Sequence, residues 1–562
     1  MADTTTIRTL ADRVRTVADQ LTAPGAPFEV QEEDVLGERL LVFKNRHASL
    51  RSVLESSARF GDRDCLVFDD GMRITFDDLP RDVASFAAAL RDRYGIEKGD
   101  HVAICGANSA GWIEAFWACV SMGAVVVAMN GWWTPVEMEH ALELTQPKVL
   151  LADARRLARL GDTDVPTVDL DAGLDNLRNY DRSAPLPDVP IDEDDPAMLI
   201  FTSGTTGRPK AAVLTHRVIV AFCQLQSYIA AQGMALAGRE IAAGAVPPAR
   251  LAVMPLFHVS GLSAIVSSLM TGTTTVWPLG RFDAGRVIEL TKAEKIGMWN
   301  GASTHVLRLL DHPDIETIDP TTIFSVGIGG SASTPDLIRR TEERFPHLKG
   351  TFSSGYGSTE SGGLISYASN AMLVAAPECV GPLLPTIEVR IVDDEGNDVP
   401  EGSEGNICCR SPLVMREYWR HPEANAEAFL PGRWLRVGDV GSLVEGTIFL
   451  ASRKRDLIIR GGENIYPFEV ENRLEEHPEV RETAVFGVDH PTFGQEVKAV
   501  VVLEPGATVT PVALQQFCAE VLSAYKVPAH VEIRDEALPR NASGKIMKHV
   551  IAGLAENTFE ED

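Results

Sequence analysis

Helix-like and strand-like segments alternate from about Ala48 to Arg155, and the pattern recurs in later segments up to about residue 330. This alternation restricts the possible folds more than any other feature. An amphipathic segment that ends in a glycine, "ITFDDLPRDVASFAAALRDRYG", precedes the apolar segment "DHVAICG", and the helix-like "GWIEAFWACVSMG" precedes the strand-like "AVVVAMN". Further strand-like segments are "ARLAVMP", "TTTVWPL", "IGMWNG" and "TIFSVGIGG". Parallel strands need crossover connections, which are usually helices. The pattern therefore predicts an α/β fold with parallel sheets and crossover helices.

The pattern changes after about residue 380. Asp-Glu-Gly and Glu-Gly turns between β-branched segments in "VGPLLPTIEVRIVDDEGNDVPEGSEGNICCRSP" predict antiparallel hairpins. The charge run "RKRD" then predicts a domain junction, because charged segments tend to lie between hydrophobic cores. At 562 residues the chain is too long for one core. We expect a large N-terminal domain, residues 1–454, with parallel sheets and a β-rich subdomain, and a small mobile α+β lid domain, residues 455–562.

The composition argues against several classes of function. A net charge of −27 disfavours binding to nucleic acid or anionic membranes, although a local basic pocket can still bind an anionic substrate. The eight cysteines form no CxxC pair and lack zinc-ligand spacing, so we expect reduced core residues. The N-terminus lacks the apolar segment of a secretory signal, and "AFWACVSMGAVVVAMNGWW" predicts a buried helix and strand. We expect a cytoplasmic protein without membrane insertion, for which a homodimer is one option.

The segment "FTSGTTGRPK", residues 201–210, combines glycines, hydroxyls and a cation after a strand-like run. Its glycines let the backbone approach a ligand closely, and its hydroxyls add donors to the exposed backbone N–H groups. A polyphosphate suits this set, although a surface turn between two strands has the same composition. The spacing is not that of a Walker A loop. The candidate phosphate-binding residues are Thr202, Ser203, Gly204, Thr205, Thr206, Gly207 and Lys210.

Three further motifs carry groups that suit a nucleotide. In "SSGYGSTES", which we expect to follow a strand, Tyr356 can stack on a purine, Thr359 can contact a phosphate and Glu360 can bind Mg²⁺. In "RWLRVGDVGSL", Asp439 is expected on a glycine turn, where it can accept hydrogen bonds from ribose hydroxyls. In "LPRNASGKIMKH", Lys545 follows a Ser-Gly turn near the end of the chain.

These motifs, in this order, closely resemble those of the adenylate-forming superfamily of acyl-CoA synthetases, luciferases and peptide-synthetase adenylation domains. The resemblance extends from about residue 48 to about residue 550 and is carried by "TSGTTGRPK", "YGSTE", "VGD", "SRKRDLIIRGGENIYPFEVE" and "PRNASGK". It implies two half-reactions. A carboxylate first attacks the α-phosphorus of ATP and releases pyrophosphate, and a thiol then displaces AMP. Residues 201–210 would hold the β- and γ-phosphates.

The resemblance also implies residue roles. Lys545 would bridge the substrate carboxylate and the α-phosphate, Glu360 would bind Mg²⁺, and Thr359 would contact the α-phosphate. The remaining nucleotide residues are those of the adenine site, Tyr356, Gly357, Gly329, Gly330 and Ser331, and those of the ribose site, Asp439 and Arg453. Arg455 matches the hinge of the C-terminal domain, and Gly461 and Gly462 match the tunnel for the pantetheine arm of CoA.

The segment "MPLFHVSGL" places His258 where acyl- and aryl-CoA synthetases of this superfamily carry a pocket histidine. A core histidine is the structural alternative. The segment has no acidic residue to pair with an ammonium group, which argues against an amino-acid substrate. The predicted acid pocket is small and apolar, and its residues could equally belong to the core: His258, Trp299, Gly301, Gly329, Gly363 and Leu364. Such a pocket suits an aliphatic or aryl acid.

The sequence therefore predicts an ATP-dependent carboxylic acid–CoA ligase, for a medium- or long-chain fatty acid or an aryl acid, that uses ATP, Mg²⁺ and CoA. A second hypothesis keeps the acyl-adenylate but passes the acyl group to an amine or to a carrier-protein thiol. A third, a non-catalytic binding protein on the same scaffold, conflicts with the presence of Lys545, Glu360, Asp439 and Arg453. Nothing in the sequence indicates the oxidation step of a luciferase.

Overall fold

The computed structural model describes residues 4–202, 209–239, 245–328, 335–376, 378–453, 456, 458–460, 463–541 and 544–554. The strands are β1 (Val30–Val35), β2 (Glu38–Phe43), β3 (Asp64–Phe68), β4 (Arg73–Thr75), β5 (His101–Cys105), β6 (Val125–Met129), β7 (Val149–Ala152), β8 (Thr167–Asp169), β9 (Pro196–Thr202), β10 (Lys210–Thr215), β11 (Ala249–Leu251), β12 (Thr275–Trp277), β13 (Ile296–Gly301), β14 (Ser325–Ile328), β15 (Ser353–Tyr356), β16 (Ser366–Ser369), β17 (Cys379–Pro382), β18 (Glu388–Val392), β19 (Gly405–Arg410), β20 (Phe429–Leu430), β21 (Trp434–Val444), β22 (Thr447–Arg453), β23 (Ile458–Arg460), β24 (Glu463–Ile465), β25 (Val480–His490), β26 (Gly494–Leu503) and β27 (His530–Arg534).

The α-helices are α1 (Thr4–Thr22), α2 (Leu50–Ser57), α3 (Asp78–Tyr94), α4 (Ala110–Ser121), α5 (Pro135–Thr145), α6 (Ala154–Leu160), α7 (Leu174–Arg178), α8 (His216–Leu236), α9 (Val259–Thr271), α10 (Ala284–Ala293), α11 (Ser303–Asp311), α12 (Pro335–Arg344), α13 (Asn370–Ala375), α14 (Pro422–Ala428), α15 (Pro467–Glu475), α16 (Pro511–Ala519) and α17 (Lys548–Ile551). Local sequence sets several of their limits. Thr134 and Glu137 form a capping box at the start of α5, with Pro135 in the first position. Gly95 ends α3 in the left-handed conformation, with φ of 62°.

The first large sheet has the strand order β10-β9-β6-β5-β7-β8, and its strands are parallel except for β10, which is antiparallel to β9. Both faces are covered. Along β6, Val126 and Ala128 face the core shared with α3 and α4, whereas Val125, Val127 and Met129 face the core shared with α5. The predicted parallel sheet with crossover helices is confirmed, and α4 and β6 are the predicted buried helix and strand.

The second large sheet has the strand order β16-β15-β14-β13-β11-β12-β3-β4. It is parallel through its centre and antiparallel at both ends, where β16 pairs with β15 and β4 pairs with β3. Its inner face shares the largest hydrophobic core with the first sheet and with α2, α3, α4, α8 and α9. Its outer face packs in a separate core against α10 and α11. The two sheets therefore enclose a middle layer of helices.

Residues 379–453 form an antiparallel sheet in the order β17-β22-β21-β19-β18, with β20 beside β21, as the hairpin pattern predicts. The strands from β23 onward form another sheet, in the order β24-β23-β26-β25 with β27 beside β26. This sheet has a hydrophobic core of its own, which includes Ile458, Val470 and Val485. The structure thus contains the expected small C-terminal domain. The boundary between residues 454 and 455 stays a prediction.

Three local features differ from the sequence predictions. Residues 74 and 75 belong to β4, so α3 begins later than the amphipathic pattern suggests, at Asp78. The motif that contains Tyr356 does not follow a strand, because its first four residues are themselves β15. Asp439 lies within β21 and not on a turn. Gly438 nevertheless has a left-handed φ of 88°, a conformation that interrupts the regular strand just before Asp439.

All eight cysteines are buried and unpaired, which agrees with reduced core residues. Among the described residues, α8 is the one helix whose length and composition would allow it to cross a membrane. About half of its most apolar window, 56 %, is buried inside the protein, where the helix packs against α9 and α1. Core helices of soluble proteins commonly meet the same criterion, so this helix is weak evidence for a membrane span.

Candidate active site

Strands β9 and β10 bring the two ends of the hydroxyl-rich loop together. The strands are antiparallel neighbours, and Thr202 lies opposite Lys210 in their register. Lys210 is 9 % exposed, and its Nζ lies 5.4 Å from the ring centroid of Tyr418, a cation–π contact that holds the ammonium group beside the loop. Residues 203–208 lie outside the described part of the chain, and they include the candidates Ser203, Gly204, Thr205, Thr206 and Gly207.

Tyr418 is a site residue that the sequence motifs do not reveal. Its hydroxyl donates a hydrogen bond of 3.0 Å to Oε1 of Glu360. Its backbone N–H donates to Oδ1 of Asn425 at 2.7 Å, and its carbonyl accepts from Nδ2 of the same side chain at 2.9 Å. Burial and the Glu360 carboxylate raise the pKa of Tyr418, with an opposing contribution from Thr202, so the hydroxyl remains a donor. Tyr418 thus connects the hydroxyl-rich loop to Glu360.

Thr359 and Glu360 lie in a tight turn that follows β15. The carbonyl of Glu360 accepts a hydrogen bond of 2.8 Å from the backbone N–H of Met415, which anchors the turn to a distant segment. The two ends of the turn approach each other closely, because a Cβ added to Gly357 would lie 2.6 Å from the carbonyl oxygen of Gly363. Glycine is therefore required at position 357 by backbone proximity.

Tyr356 and Asp439 are brought into direct contact. The hydroxyl of Tyr356 donates a hydrogen bond of 2.7 Å to Oδ2 of Asp439, although the two residues lie in different sheets. Asp439 in turn lies directly opposite Arg453 in the pairing of β21 with β22. The structure therefore gathers the predicted adenine residue and the backbones of both predicted ribose residues, whereas the side chain of Arg453 lies outside the described part.

Lys545 follows a tight turn that packs against the N-terminal domain. The backbone N–H of Asn541 donates to the carbonyl of Lys545 at 2.9 Å, and Nη1 of Arg540 donates to the carbonyl of Gly544 at 2.9 Å. Gly544 has a left-handed φ of 79°. A Cβ added to Gly544 would lie only 2.7 Å from the Cβ of Ala302, the residue that precedes α11. The lysine turn is therefore docked on the N-terminal domain.

Two polar contacts accompany this docking. Nη2 of Arg481, in β25, lies 3.5 Å from Oδ2 of Asp311, at the end of α11. The hydroxyl of Tyr466, which precedes α15, donates a hydrogen bond to the carboxylate of Glu404 in the N-terminal domain. Together with the lysine turn, these contacts join the C-terminal domain to the N-terminal domain in one orientation.

His258 lies at the N-terminal end of α9, and its ring centroid is 4.6 Å from that of Phe257. Burial lowers the pKa of His258 to about 4, and the nearby positive charge of Lys545 acts in the same direction. The imidazole is therefore neutral at pH 7, so it can donate or accept a hydrogen bond without placing a second cation next to Lys545. Lys545, in the C-terminal domain, is thus near enough to His258 for its charge to act on the imidazole.

A narrow apolar cleft, too small in this structure to admit a water molecule, is lined by Val259, the residue that follows His258. Its lining residues come from β10, α8, α9 and the turn after β15: Leu214, Val218, Ile219, Phe222, Val259, Leu262, Ser263 and Gly362. The predicted pocket residue Gly363 borders the same region, because a Cβ added there would lie 2.6 Å from the ring of Phe222. The lining contains no charged side chain.

The prediction that Trp299 lines this pocket is corrected by the structure. The Trp299 ring is 1 % exposed, packs edge-on against Phe345 at 5.5 Å, and donates a hydrogen bond of 3.2 Å from Nε1 to Thr291 of α10. It belongs to the core on the outer face of the second sheet, whereas the cleft lies on the inner face. Gly301 lies at the end of β13, close to the docked lysine turn, and Leu364 follows Gly363.

Other predicted site residues lie outside the described part of the chain: Gly329, Gly330, Ser331, Arg455, Gly461 and Gly462. Their assignments to the adenine site, the hinge and the CoA tunnel stay predictions. No cluster of three or more metal-ligating side chains occurs among the described residues. The single carboxylate of Glu360 nevertheless suits Mg²⁺ that arrives with a polyphosphate, because such ions are bound through one or two carboxylates plus the phosphates.

Two family models match the sequence. The family described as AMP-binding enzyme matches residues 53–419, which is more than half of the chain, and the family described as AMP-binding enzyme C-terminal domain matches residues 469–545. The second match falls within the small C-terminal domain. Together the two matches include Glu360, Tyr418 and Lys545, whereas Asp439 falls in the interval between them.

Similar proteins of known name span nearly the same length. A feruloyl-CoA synthase from Amycolatopsis is 33 % identical over 90 % of this chain and 98 % of its own, and a long-chain-fatty-acid–CoA ligase from Bacillus subtilis is 31 % identical over 89 % and 93 %. Among solved structures, o-succinylbenzoate CoA synthetase from Bacillus subtilis, in complex with its acyl-adenylate intermediate, has a TM-score of 0.72 at 29 % identity over 90 % and 98 % of the two chains. An amide bond synthetase from Marinactinospora thermotolerans has a TM-score of 0.73 at 26 % identity over 90 % and 99 %.

Proposed function

The chain belongs to the AMP-binding enzyme family, and on that premise we propose that it is an ATP-dependent ligase that joins a carboxylic acid to CoA through an acyl-adenylate. The observation that carries the proposal is the docked lysine turn. Gly544 packs against Ala302, and the adjacent Lys545 is close enough to lower the pKa of His258. We infer that the Lys545 ammonium acts near His258, the residue that precedes Val259 in the lining of the apolar cleft.

The geometry supports a division of roles in the first half-reaction. The acid places its apolar part in the cleft and its carboxylate near His258 and Lys545. The Lys545 ammonium neutralises charge that develops as the carboxylate oxygen bonds to the α-phosphorus and pyrophosphate leaves. Thr359 contacts the α-phosphate, and Glu360 would hold Mg²⁺, which supplies further charge neutralisation on the phosphates. Tyr356 and Asp439, joined by their hydrogen bond, bind the nucleoside.

The apolar cleft favours an acid without a charge at its far end. Phe222 and Leu262 contribute bulk to its lining, and Gly362 and Gly363 let the turn after β15 pack closely against Leu413 and Phe222. The names of two relatives, a feruloyl-CoA synthase and a long-chain-fatty-acid–CoA ligase, include both an aryl and an aliphatic acid. We therefore propose a medium- or long-chain fatty acid or an aryl acid as the substrate class.

The acceptor in the second half-reaction is proposed to be CoA. Most of the similar proteins reported above are named CoA synthases, synthetases or ligases. One of the similar solved structures is that of an amide bond synthetase, so an amine is the second candidate acceptor. Transfer to CoA requires that the lysine turn leave the site, so we propose that the C-terminal domain pivots at Arg455 and presents Gly461 and Gly462 to the pantetheine arm. We also propose that the protein acts in the cytoplasm, as a monomer or homodimer.

An acceptor panel tests the proposal. The purified protein is given ATP, Mg²⁺ and a mixture of fatty and aryl acids, first alone, then with CoA, then with a set of amino acids and amines. We expect multiple-turnover AMP release only with CoA, and an acyl-CoA product by mass spectrometry. If amides form in the third reaction and no thioester forms in the second, the protein is an amide synthetase and the proposal that CoA is the acceptor is wrong. No acyl-adenylate in any reaction would contradict adenylate formation from the acids tested.

A further inference from the structure

Tyr418 occupies a position from which one side chain contacts two predicted parts of the nucleotide site. Its hydroxyl donates to Oε1 of Glu360 at 3.0 Å, and its ring lies 5.4 Å from Nζ of Lys210. Glu360 and Lys210 are 150 residues apart in the sequence, and they approach the site from different sheets. No motif in the sequence distinguishes Tyr418 from the other residues of "REYWRH".

The backbone around Tyr418 is fixed on both sides. Residues 416–419 run beside β10, the strand that begins with Lys210. Val213 of β10 bonds this segment twice: its N–H donates to the carbonyl of Glu417 at 2.8 Å, and its carbonyl accepts from the N–H of Arg416 at 2.9 Å. Both polar groups of the Asn425 side chain bond the backbone of Tyr418. These hydrogen bonds fix the backbone of Tyr418 and so hold its hydroxyl next to Glu360.

We propose that Tyr418 is a positioning residue that holds the Glu360 carboxylate in one orientation and steadies Lys210, so that a metal-bound ATP meets both groups already in place. The inference rests on the proposed function for the identity of the nucleotide. With Oε1 engaged by the phenol, Oε2 of Glu360 is the oxygen left to face the metal. A glutamate carboxylate, with three rotatable side-chain bonds, otherwise loses side-chain entropy when the metal binds, and prior hydrogen bonding reduces that cost.

The contacts distinguish this role from simple packing. A tyrosine that only packs in the core needs some hydrogen-bond partner for its hydroxyl. Nothing requires that partner to be a carboxylate that is predicted to bind a metal, as Glu360 is. Tyr228 is such a residue: it is fully buried, and its hydroxyl accepts a hydrogen bond of 2.6 Å from Nε2 of Gln232 within α8. Tyr228→Phe is therefore the matched control, because it also removes one phenolic hydroxyl that is hydrogen-bonded inside the protein.

The test measures ATP binding by isothermal titration calorimetry, with Mg²⁺ and then with EDTA, so it does not depend on turnover. For the wild-type protein Mg²⁺ should tighten ATP binding. In Tyr418→Phe this Mg²⁺-dependent gain should shrink about tenfold while binding in EDTA stays within about twofold, and Tyr228→Phe should keep the full gain. Tyr418→Leu, which also removes the ring beside Lys210, should weaken binding in EDTA as well.

A double-mutant cycle with Glu360 completes the test. Glu360→Gln should abolish the Mg²⁺-dependent gain, and adding Tyr418→Phe to it should cause no further loss, because the phenol acts through the carboxylate. The proposal is overturned if Tyr418→Phe keeps the wild-type gain, if the two losses add independently, or if wild-type binding gains nothing from Mg²⁺. Formation of an acyl-adenylate by the wild-type protein is scored separately, so failure of the proposed function is distinguishable from failure of this inference.

Discussion

The hydroxyl of Tyr356 donates a hydrogen bond of 2.7 Å to Oδ2 of Asp439, which joins the edge region of the second large sheet to the antiparallel sheet. The bond links two nucleotide-binding candidates that the sequence separates by 83 residues. The proposed nucleoside site therefore lies at the junction of two sheets.

Replacing Asp439 should weaken the binding of ATP far more than that of the acid. Asp439→Ala removes the ribose contact and the partner of Tyr356, and we expect KM for ATP to rise about tenfold or more, equivalent to about 1.4 kcal/mol. KM for the acid should change less than about twofold, because the cleft lies elsewhere. Steady-state kinetics with each substrate varied in turn measure both values. Tyr356→Phe, which removes only the hydrogen bond, is the milder control, and equal losses for both substrates would contradict the assignment.

A methyl group on Gly544 should block docking of the lysine turn. In Gly544→Ala the new Cβ would meet the Cβ of Ala302 at 2.7 Å, so we expect ATP–pyrophosphate exchange to fall by about two orders of magnitude, or about 2.7 kcal/mol. Gly553→Ala is the matched control, since Gly553 has a similar φ of 74° but nothing within 4 Å of the added atom. Both variants bear the same left-handed strain of about 1 kcal/mol, so similar exchange rates in the two would show that docking is unimportant.

The ion pair between Arg481 and Asp311 should favour the docked orientation by a small amount. Both side chains are more than 40 % exposed, and pairs of this kind contribute about 0–1 kcal/mol, so Arg481→Ala should slow pyrophosphate exchange by no more than about fivefold. The effect should vanish at high salt, where the pair is screened. Arg340→Ala removes the other partner of Asp311 within the N-terminal domain and should leave exchange unchanged. Exchange rates measured across a salt series decide between these outcomes.

His216 should make the protein less stable in acid. Its ring is fully buried, and Nδ1 accepts the backbone N–H of Leu50 at 3.2 Å, which requires the neutral form. Burial lowers the pKa of His216 to about 4, so between the unfolded pKa near 6.5 and about 4 the unfolded state binds more protons. Stability should therefore fall as the pH falls, by about 2 kcal/mol between pH 7 and pH 5 from this residue.

The variant His216→Asn, whose side-chain oxygen can still accept from Leu50, should lose that part of the acid sensitivity. Thermal unfolding at pH 7 and pH 5 measures the difference between the variant and the wild-type protein. His549→Asn is the control, because His549 is exposed and its replacement should leave the pH dependence unchanged. The same acid-induced shift in all three proteins would contradict the assignment to His216.

Much of the fold was predictable because its signals are local. The alternation of apolar strands with amphipathic helices predicts the parallel sheets. Asp439 was misplaced on a turn because Gly438 signals a bend, whereas the strand continues through the left-handed residue. A glycine alone does not distinguish a turn from an irregular strand.

The contacts between distant segments were not predictable. Trp299 lies in a strand that is covered on both faces, and the sequence does not show which face a given side chain joins, so the choice between pocket and core stayed open until the structure placed it in the outer core. Tyr418 reaches Glu360 only because residues 416–419 pair with β10, an arrangement without a local signal. The docking of Gly544 on Ala302 likewise depends on the orientation of two domains.

The most direct test compares the two half-reactions in Lys545→Ala. The docked lysine is proposed to serve adenylate formation alone. ATP–pyrophosphate exchange in the variant should therefore fall at least about a hundredfold, or about 2.7 kcal/mol. The variant should still convert a chemically prepared acyl-adenylate and CoA to acyl-CoA at close to the wild-type rate. Wild-type exchange in the variant, or equal loss of both half-reactions, would contradict the role given to Lys545.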